Sequence, residues 1–253
     1  MSLIGVLSRD TLPGESTPAL AGIGHAAHRT GNGLLLCADL DFVDTRDVAL
    51  AGCVLLDRTA DDRDLSCLID HEIPFVSIGR RDSALRQIPY VDVDHAAGVR
   101  DLVARTAAFG HRQIVYIGLP SGTTSVERLH EFRAAASAFG IKGLHAPAVW
   151  LDQLLRIGVT AVIAEHSDDA AALVRAARRR NLAVPGDLSV LALDLSEQDL
   201  LGLTGLRVPR WETGRRAVHL LARLPQKRSQ VLLACEFVEG TTLAAPTPAP
   251  HSR

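Results

Sequence analysis

Ala96-Ala-Gly-Val-Arg-Asp-Leu-Val-Ala-Arg-Thr-Ala-Ala-Phe109 leads through Gly110-His-Arg-Gln to Ile114-Val-Tyr-Ile117. A second alanine-rich stretch, Ser125-Val-Glu-Arg-Leu-His-Glu-Phe-Arg-Ala-Ala-Ala-Ser-Ala-Phe139, follows. The first stretch has helical character and stops at a glycine, the next four residues are apolar and rich in β-branched side chains, and the third is helical again. Short apolar runs alternating with longer amphipathic ones are the mark of βαβ units and a mostly parallel sheet. The fold class is therefore α/β.

The same alternation extends in both directions. Strands are predicted at Ile4-Leu7, Gly33-Cys37, Cys53-Leu56, Phe75-Ile78, Tyr90-Val93, Ile114-Ile117, Ala161-Ala164, Leu188-Leu193, Gly205-Arg207 and Ala234-Val238. Helices are predicted at Thr17-Thr30, Asp62-His71, Ala96-Phe109, Ser125-Phe139, Asp168-Arg180 and Glu212-Leu224. Ten strands exceed one comfortable lobe, and 253 residues are enough for two lobes that each bury a core. The Pro/Ala-rich tail from Ala244 to Arg253 has the composition of a flexible end.

Composition narrows the function classes. The hydrophobic fraction is 47%, yet no apolar run approaches the roughly 18 to 20 residues a membrane span requires. Met1-Ser-Leu-Ile-Gly-Val-Leu7 has neither the basic segment nor the cleavage site of a secretory signal, so the expected location is cytoplasmic. Cys37, Cys53, Cys67 and Cys235 are scattered in apolar segments without a C-x-x-C pair, which reads as reduced thiols and no zinc site. A net charge of -2 provides no overall positive field for a phosphate backbone, so DNA binding by these residues alone is not expected.

Several segments, taken in order, carry a family resemblance. They are Ile73-Pro-Phe-Val-Ser-Ile-Gly-Arg-Arg81, Tyr90-Val-Asp-Val-Asp-His-Ala-Ala-Gly98, Phe109-Gly-His-Arg-Gln-Ile-Val-Tyr-Ile-Gly118 and Glu127-Arg-Leu-His-Glu-Phe-Arg-Ala-Ala135. Thr160-Ala-Val-Ile-Ala164, Val184-Pro-Gly-Asp-Leu-Ser-Val190, Leu203-Thr-Gly-Leu-Arg-Val-Pro209 and Glu212-Thr-Gly-Arg-Arg-Ala-Val218 complete the series. Together they resemble the effector-binding domain of LacI/GalR-type transcription regulators. The resemblance implies a type I periplasmic-binding-protein fold: two doubly wound parallel-sheet lobes with three crossovers and a ligand cleft between them. On it the first lobe comprises 4–93 plus 200–224, the second 94–198 plus 231–243, and 244–253 forms a flexible tail. A DNA-binding headpiece lies outside this chain.

The resemblance also assigns residues. Arg128, early in the helix after Ile114-Ile117, matches the arginine that contacts effector, and a forked donor there suits paired oxygens. Read alone, it is a solvated arginine on a helix's first turns. After Ala161-Ala164 the family presents Asn-Asp, whereas this chain has Glu165-His-Ser-Asp-Asp169. The family aspartate falls on Ser167, so either Asp168 replaces it with a one-residue shift or the pocket has lost a carboxylate. As plain residues, Ser167 caps the helix and the two aspartates are its first-turn acids. Asp194 fits the aspartate after the next strand, or caps a loop. Ser8 and Asp10, after the first strand, and Arg80, after the fourth, are candidates at the opposite rim.

Other features carry less. Gly22-Ile-Gly24 lacks the third glycine of a dinucleotide fingerprint, and Ser121-Gly-Thr-Thr124 lacks a phosphate-loop lysine. His25 and His28 share a helix face without further metal-ligand partners, and Trp150 and Trp211 fall away from the expected cleft. No cofactor or metal is expected. The chain is short between Leu36 and Cys53, where a crossover helix is reduced or missing, and between Ile141 and Thr160, where a longer strand and loop are replaced. No nucleophile elbow or paired-carboxylate motif points to catalysis. The expected function is effector sensing by a homodimeric regulator that meets operator DNA through its headpiece. The alternatives are a transporter's solute-binding protein, which uses the same fold, or a headless sensor with a degenerate pocket.

Overall fold

The computed structural model describes residues 2–8, 17–40, 48–56, 62–81, 87–148, 151–196, 201–224 and 230–247. The chain divides into two compact units, Met1–Val93 with Pro209–Leu233 and Asp94–Val208 with Ala234–Arg253, so it passes from one to the other three times.

The first unit holds β1 (Leu3–Leu7), α1 (Thr17–Arg29), β2 (Gly33–Cys37), β3 (Leu50–Leu55), α2 (Asp62–Asp70), β4 (Phe75–Ile78) and β5 (Tyr90–Val93). The second holds α3 (His95–Ala108), β6 (Gln113–Ile117), α4 (Thr123–Ala138), β7 (Lys142–Ala146), α5 (Leu151–Arg156), β8 (Ala161–Ala164), α6 (Ser167–Arg179), β9 (Ser189–Ala192) and β10 (Thr204–Arg207). The chain then returns to the first unit for α7 (Arg210–Leu221) and β11 (Gln230–Leu233), and ends in the second with β12 (Glu236–Val238). The sheet orders are β11-β5-β4-β3-β1-β2 and β12-β10-β9-β8-β6-β7. Every neighbouring pair is parallel except β10 with β12.

Each sheet separates two cores, as the two-residue period of a strand demands. Val115, Ile117, Val162, Ala164, Val190 and Ala192 pack on one face of the second sheet, and Ile114, Tyr116, Ala161, Ile163, Leu191 and Leu193 on the other. Both sets are buried, which is why these strands read as continuous apolar runs.

Three elements escaped the sequence reading. β7 and β11 lie at sheet edges and are only half-buried, so Lys142-Gly-Leu-His-Ala146 and Gln230-Val-Leu-Leu233 lack a full apolar run. Thus a strand is present in the shortened segment after Ile141, followed by the one-and-a-half-turn α5. The lobe boundaries also move. β10 pairs with β9 in the second sheet rather than joining the first lobe, and β11 pairs with β5 in the first sheet rather than the second. No helix occupies the described part of the β2–β3 connection; residues 41–47, like Trp150, lie outside the described residues.

The expected flexible tail is tied down at its start. Thr242 Oγ accepts from Thr204 N–H at 2.9 Å, Ala244 N–H donates to Ser189 Oγ at 3.1 Å and Thr247 Oγ donates to the Gly186 carbonyl at 2.7 Å. Buried His111 donates from Nε2 to the Ala244 carbonyl at 2.9 Å, so its Nδ1 is the acceptor for Thr160 Oγ at 2.8 Å. The ring joins the starts of β6 and β8 to the C-terminal segment as a neutral imidazole. Residues 248–253 lie outside the described residues.

Gly22-Ile-Gly24 serves packing. A Cβ on Gly22 would lie 2.0 Å from the Trp211 carbonyl oxygen, and one on Gly214 would lie 2.0 Å from that of Ala19. The two glycines let α1 and α7 approach backbone to backbone. Cys37 and Cys53 are buried free thiols whose pKa burial pushes up, and Cys67 and Cys235 are half-buried. Among the described residues no group of three or more histidine, cysteine or acidic side chains could hold a metal ion, and no helix is long and apolar enough to cross a membrane.

Two outcomes follow from this packing. Gly22→Ala or Gly214→Ala should destabilise the protein by about 3 kcal/mol or more in urea denaturation, because the obstructing atoms are backbone. Burial pulls the His111 pKa below its usual 6.5 despite the carbonyl bond, and burial also lowers that of His219, helped by Arg215 and Arg216. The unfolded chain therefore takes up these protons first, and the associated stability is complete above about pH 6.5 and lost as pH falls. Unfolding free energy should fall between pH 7 and 5, with a shallower slope in His111→Gln; an unchanged slope would remove His111 from that linkage.

Candidate functional site

In the second sheet β6 lies between β7 and β8, so successive strands are added on opposite sides of it. Such a reversal separates the loops that follow two adjacent strands and leaves a crevice at their carboxyl ends, where open α/β sheets bind ligands. Gly118 follows β6, and Glu165 follows β8. The side chains gathered at this point form a buried polar cluster.

Arg128, in the second turn of α4, is only 6% exposed. Its helix turns Leu129 and Phe132 into the core beneath α3, and the arginine shares that inner side. Nη1 lies 3.6 Å from Oε1 of Glu165, which is 2% exposed, and Nη2 donates to His95 Nδ1 at 3.1 Å. A guanidinium only donates, so the His95 ring accepts and carries its proton on Nε2. His95 is the first residue of α3, set there by the Asp94 side chain, which accepts from Ala97 N–H at 2.9 Å.

Glu165 reaches this position because residue 118 has no side chain. A Cβ there would stand 2.4 Å from Glu165 Oε2 and 2.8 Å from its Cβ. The Gly118 carbonyl accepts from His145 Nε2 at 2.9 Å, fixing the loop after β6 against β7. The Tyr116 hydroxyl is buried beside the pair. Burial first, and then the Glu165 charge, push its pKa up, so it stays a phenol able to donate.

The ends of β8 and β9 are joined by the Ser167 N–H, which donates to the Asp194 carbonyl at 3.2 Å. Asp194 is buried, Ser167 half-buried and Asp168 exposed. The N-cap of α6 is His166, and Ser167 is the first helical residue, so the expected Ser167 cap is not formed. Asp168 and Asp169 are first-turn acids as expected. In the first unit Ser8 follows β1, where β1 lies between β2 and β3 in the same kind of reversal, and is buried. Arg80 is exposed, its N–H donating to Asp92 Oδ2 at 2.9 Å. Asp10 lies outside the described residues.

Within one unit, then, the structure brings Arg128, Ser167 and Asp194 to one end of a sheet. The solvated reading of Arg128 is excluded by its burial. Sequence reasoning passed over Glu165, His95 and Tyr116. The available signal was an acid directly after the fully apolar Ala161-Val-Ile-Ala164, a place where an unpaired carboxylate would be costly. Breaking a buried pair by removing one partner typically costs about 3–5 kcal/mol.

Residues 103–243 match the periplasmic binding protein-like domain family. An uncharacterized HTH-type transcriptional regulator in the aml 5' region of Streptomyces limosus is 33% identical over 184 residues, covering 66% of this chain and 50% of that protein. The chain thus spans half the length of this relative. Among solved structures, the Escherichia coli transcriptional repressor ascG superposes with a TM-score of 0.80 at 21% identity, covering 97% of this chain and all of that one. A LacI family transcriptional regulator from Enterococcus faecium with bound ribose gives 0.78 at 19% identity, covering 96% and 99%. These two share the fold, two parallel-dominated α/β sheets of the type I periplasmic-binding-protein kind.

The role of the glycine is open to test. Gly118→Ala should displace Glu165 and cost about 1–3 kcal/mol in chemical denaturation, as overpacking of a filled interior does. A neutral result would mean that Glu165 has room to move away from Arg128.

Proposed function

Because this chain belongs to the periplasmic binding protein-like domain family, we propose that it is the effector-sensing part of a LacI-type transcription regulator. Its ligand is a small polar metabolite, a sugar or related compound, held at the carboxyl ends of β6, β8 and β9. The observation that carries this reading is Arg128, a buried forked donor at the reversal of strand order, where no structural need calls for a charge. The regulator relatives, which are not enzymes, and the ribose in the Enterococcus faecium protein support it.

Sensing requires that the ligand bind two states of the protein with different affinity, typically by about 1–3 kcal/mol. The readout is operator DNA, bound through a helix-turn-helix such as the names of the relatives describe. With a net charge of -2, these 253 residues are poorly suited to holding DNA themselves. A homodimer in the cytoplasm suits this role, since a two-fold operator is met by a two-fold protein. Arg128, Ser167 and Asp194 are the contacts proposed from the second unit, with Asp168 at its rim; Ser8, Asp10 and Arg80 are those proposed from the first.

Calorimetric titration with a panel of neutral monosaccharides that includes ribose tests the proposal. At least one should bind, and Arg128→Lys, which keeps the charge but loses the planar fork, should weaken it about tenfold or more while circular dichroism stays unchanged. Undiminished affinity in the variant removes Arg128 from the site, and no binding by any sugar overturns the sugar reading.

A further inference from the structure

We infer that Glu165 sets the charge class of the ligand: by holding Arg128 in a buried ion pair, it makes this site accept uncharged hydrogen-bonding ligands and reject anions. The inference rests on the proposed effector site and deepens it.

A lone buried arginine is an anion receptor, because its fork matches the two oxygens of a carboxylate or phosphate. Arg128 is not alone. One arm of its guanidinium faces Glu165 at 3.6 Å and the other is spent on His95 at 3.1 Å, with Arg128 6% and Glu165 2% exposed. An anion in reach of the remaining N–H groups would stand within a few ångströms of the Glu165 carboxylate, where water is too scarce to screen the repulsion. The other charges described at these strand ends deepen the bias. Asp194 after β9 and Asp168 and Asp169 in the first turn of α6 are acidic, and His95 is held neutral as an acceptor.

A hydroxyl group meets the opposite situation. It can accept from Arg128 and donate to Glu165 at once. The arrangement needs both an acid after β8 and a residue without a side chain after β6. Any Cβ at 118 would lie 2.4 Å from Glu165 Oε2.

The test uses inorganic phosphate and ribose as probes on the whole chain, by calorimetry and thermal shift at matched ionic strength. Wild type should show no saturable phosphate binding in the millimolar range. Glu165→Gln, which keeps the shape and removes the charge, should gain phosphate binding at least about tenfold tighter than wild type, and the added change Arg128→Met should abolish the gain. Should Glu165→Gln fail to fold in plain buffer, recovery of its circular dichroism by phosphate but not by chloride is the equivalent positive result. Arg128-dependent phosphate binding by wild type overturns the inference, as does a folded Glu165→Gln or Glu165→Ala that gains none, or an unfolded one that phosphate does not recover. Ribose reports separately: a gain of phosphate binding with no sugar bound leaves the charge rule standing and removes the sugar reading. Sugar binding by wild type without the gain does the reverse.

Discussion

The reversal of strand order at β6 is the constraint on which the candidate site depends. Parallel pairing makes β6, β8 and β9 end on the same side, and the addition of β7 and β8 to opposite edges of β6 parts the loops at that end. A sheet whose strands were added in one direction would close that gap with a neighbouring connection. The helices follow from the same geometry. Each crossover returns to the start of the next strand, so α4 and α6 begin near the strand ends and bring Arg128, in the second turn of α4, and Ser167, in the first of α6, to that side.

At that end of the sheet the chain buries a charge pair that the fold does not need for stability. Taking two ions out of water costs about as much as their mutual attraction returns, and apolar residues of the same volume often serve as well or better. The surrounding core consists of Ala161, Ile163, Leu129 and Phe132, so an apolar solution was available. The pair is nonetheless built with some care, with a glycine that clears space for the carboxylate, a histidine that accepts from the free arm, and an N-cap aspartate that sets the histidine. Supporting contacts of this kind hold a side chain in one geometry, which is what recognition of a small polar molecule requires.

The parts of the fold legible in the sequence were those with strong local signals. Ile114-Val-Tyr-Ile117 and Ala161-Val-Ile-Ala164 are interior strands buried on both faces, so nothing polar interrupts them. Edge strands lack that signal, because one side meets solvent: Lys142-Gly-Leu-His-Ala146 has no β-branched residue, and β11 alternates exposed and half-buried positions. The first residues of the tail, 244–247, were misjudged for another reason. Their composition is that of a flexible segment, but Ala244 and Thr247 find partners in Ser189 and Gly186, more than fifty positions earlier in the chain. Similarly, Gly22-Ile-Gly24 read only as an incomplete dinucleotide fingerprint, and the backbone of Trp211 supplies the reason for Gly22.

Taken by itself, the sequence determined the alternation of strands and helices, the α/β class, and a family resemblance strong enough to single out Arg128, because periodicity and ordered motifs are properties of neighbouring residues. Only the tertiary structure decided which strands share a sheet and what Arg128 faces. Its partners lie 37 positions later at Glu165 and 33 earlier at His95, and no local pattern links them. Whether a buried arginine is a free anion receptor or half of an ion pair depends on what the fold brings within a few ångströms of it, and that is a matter of packing.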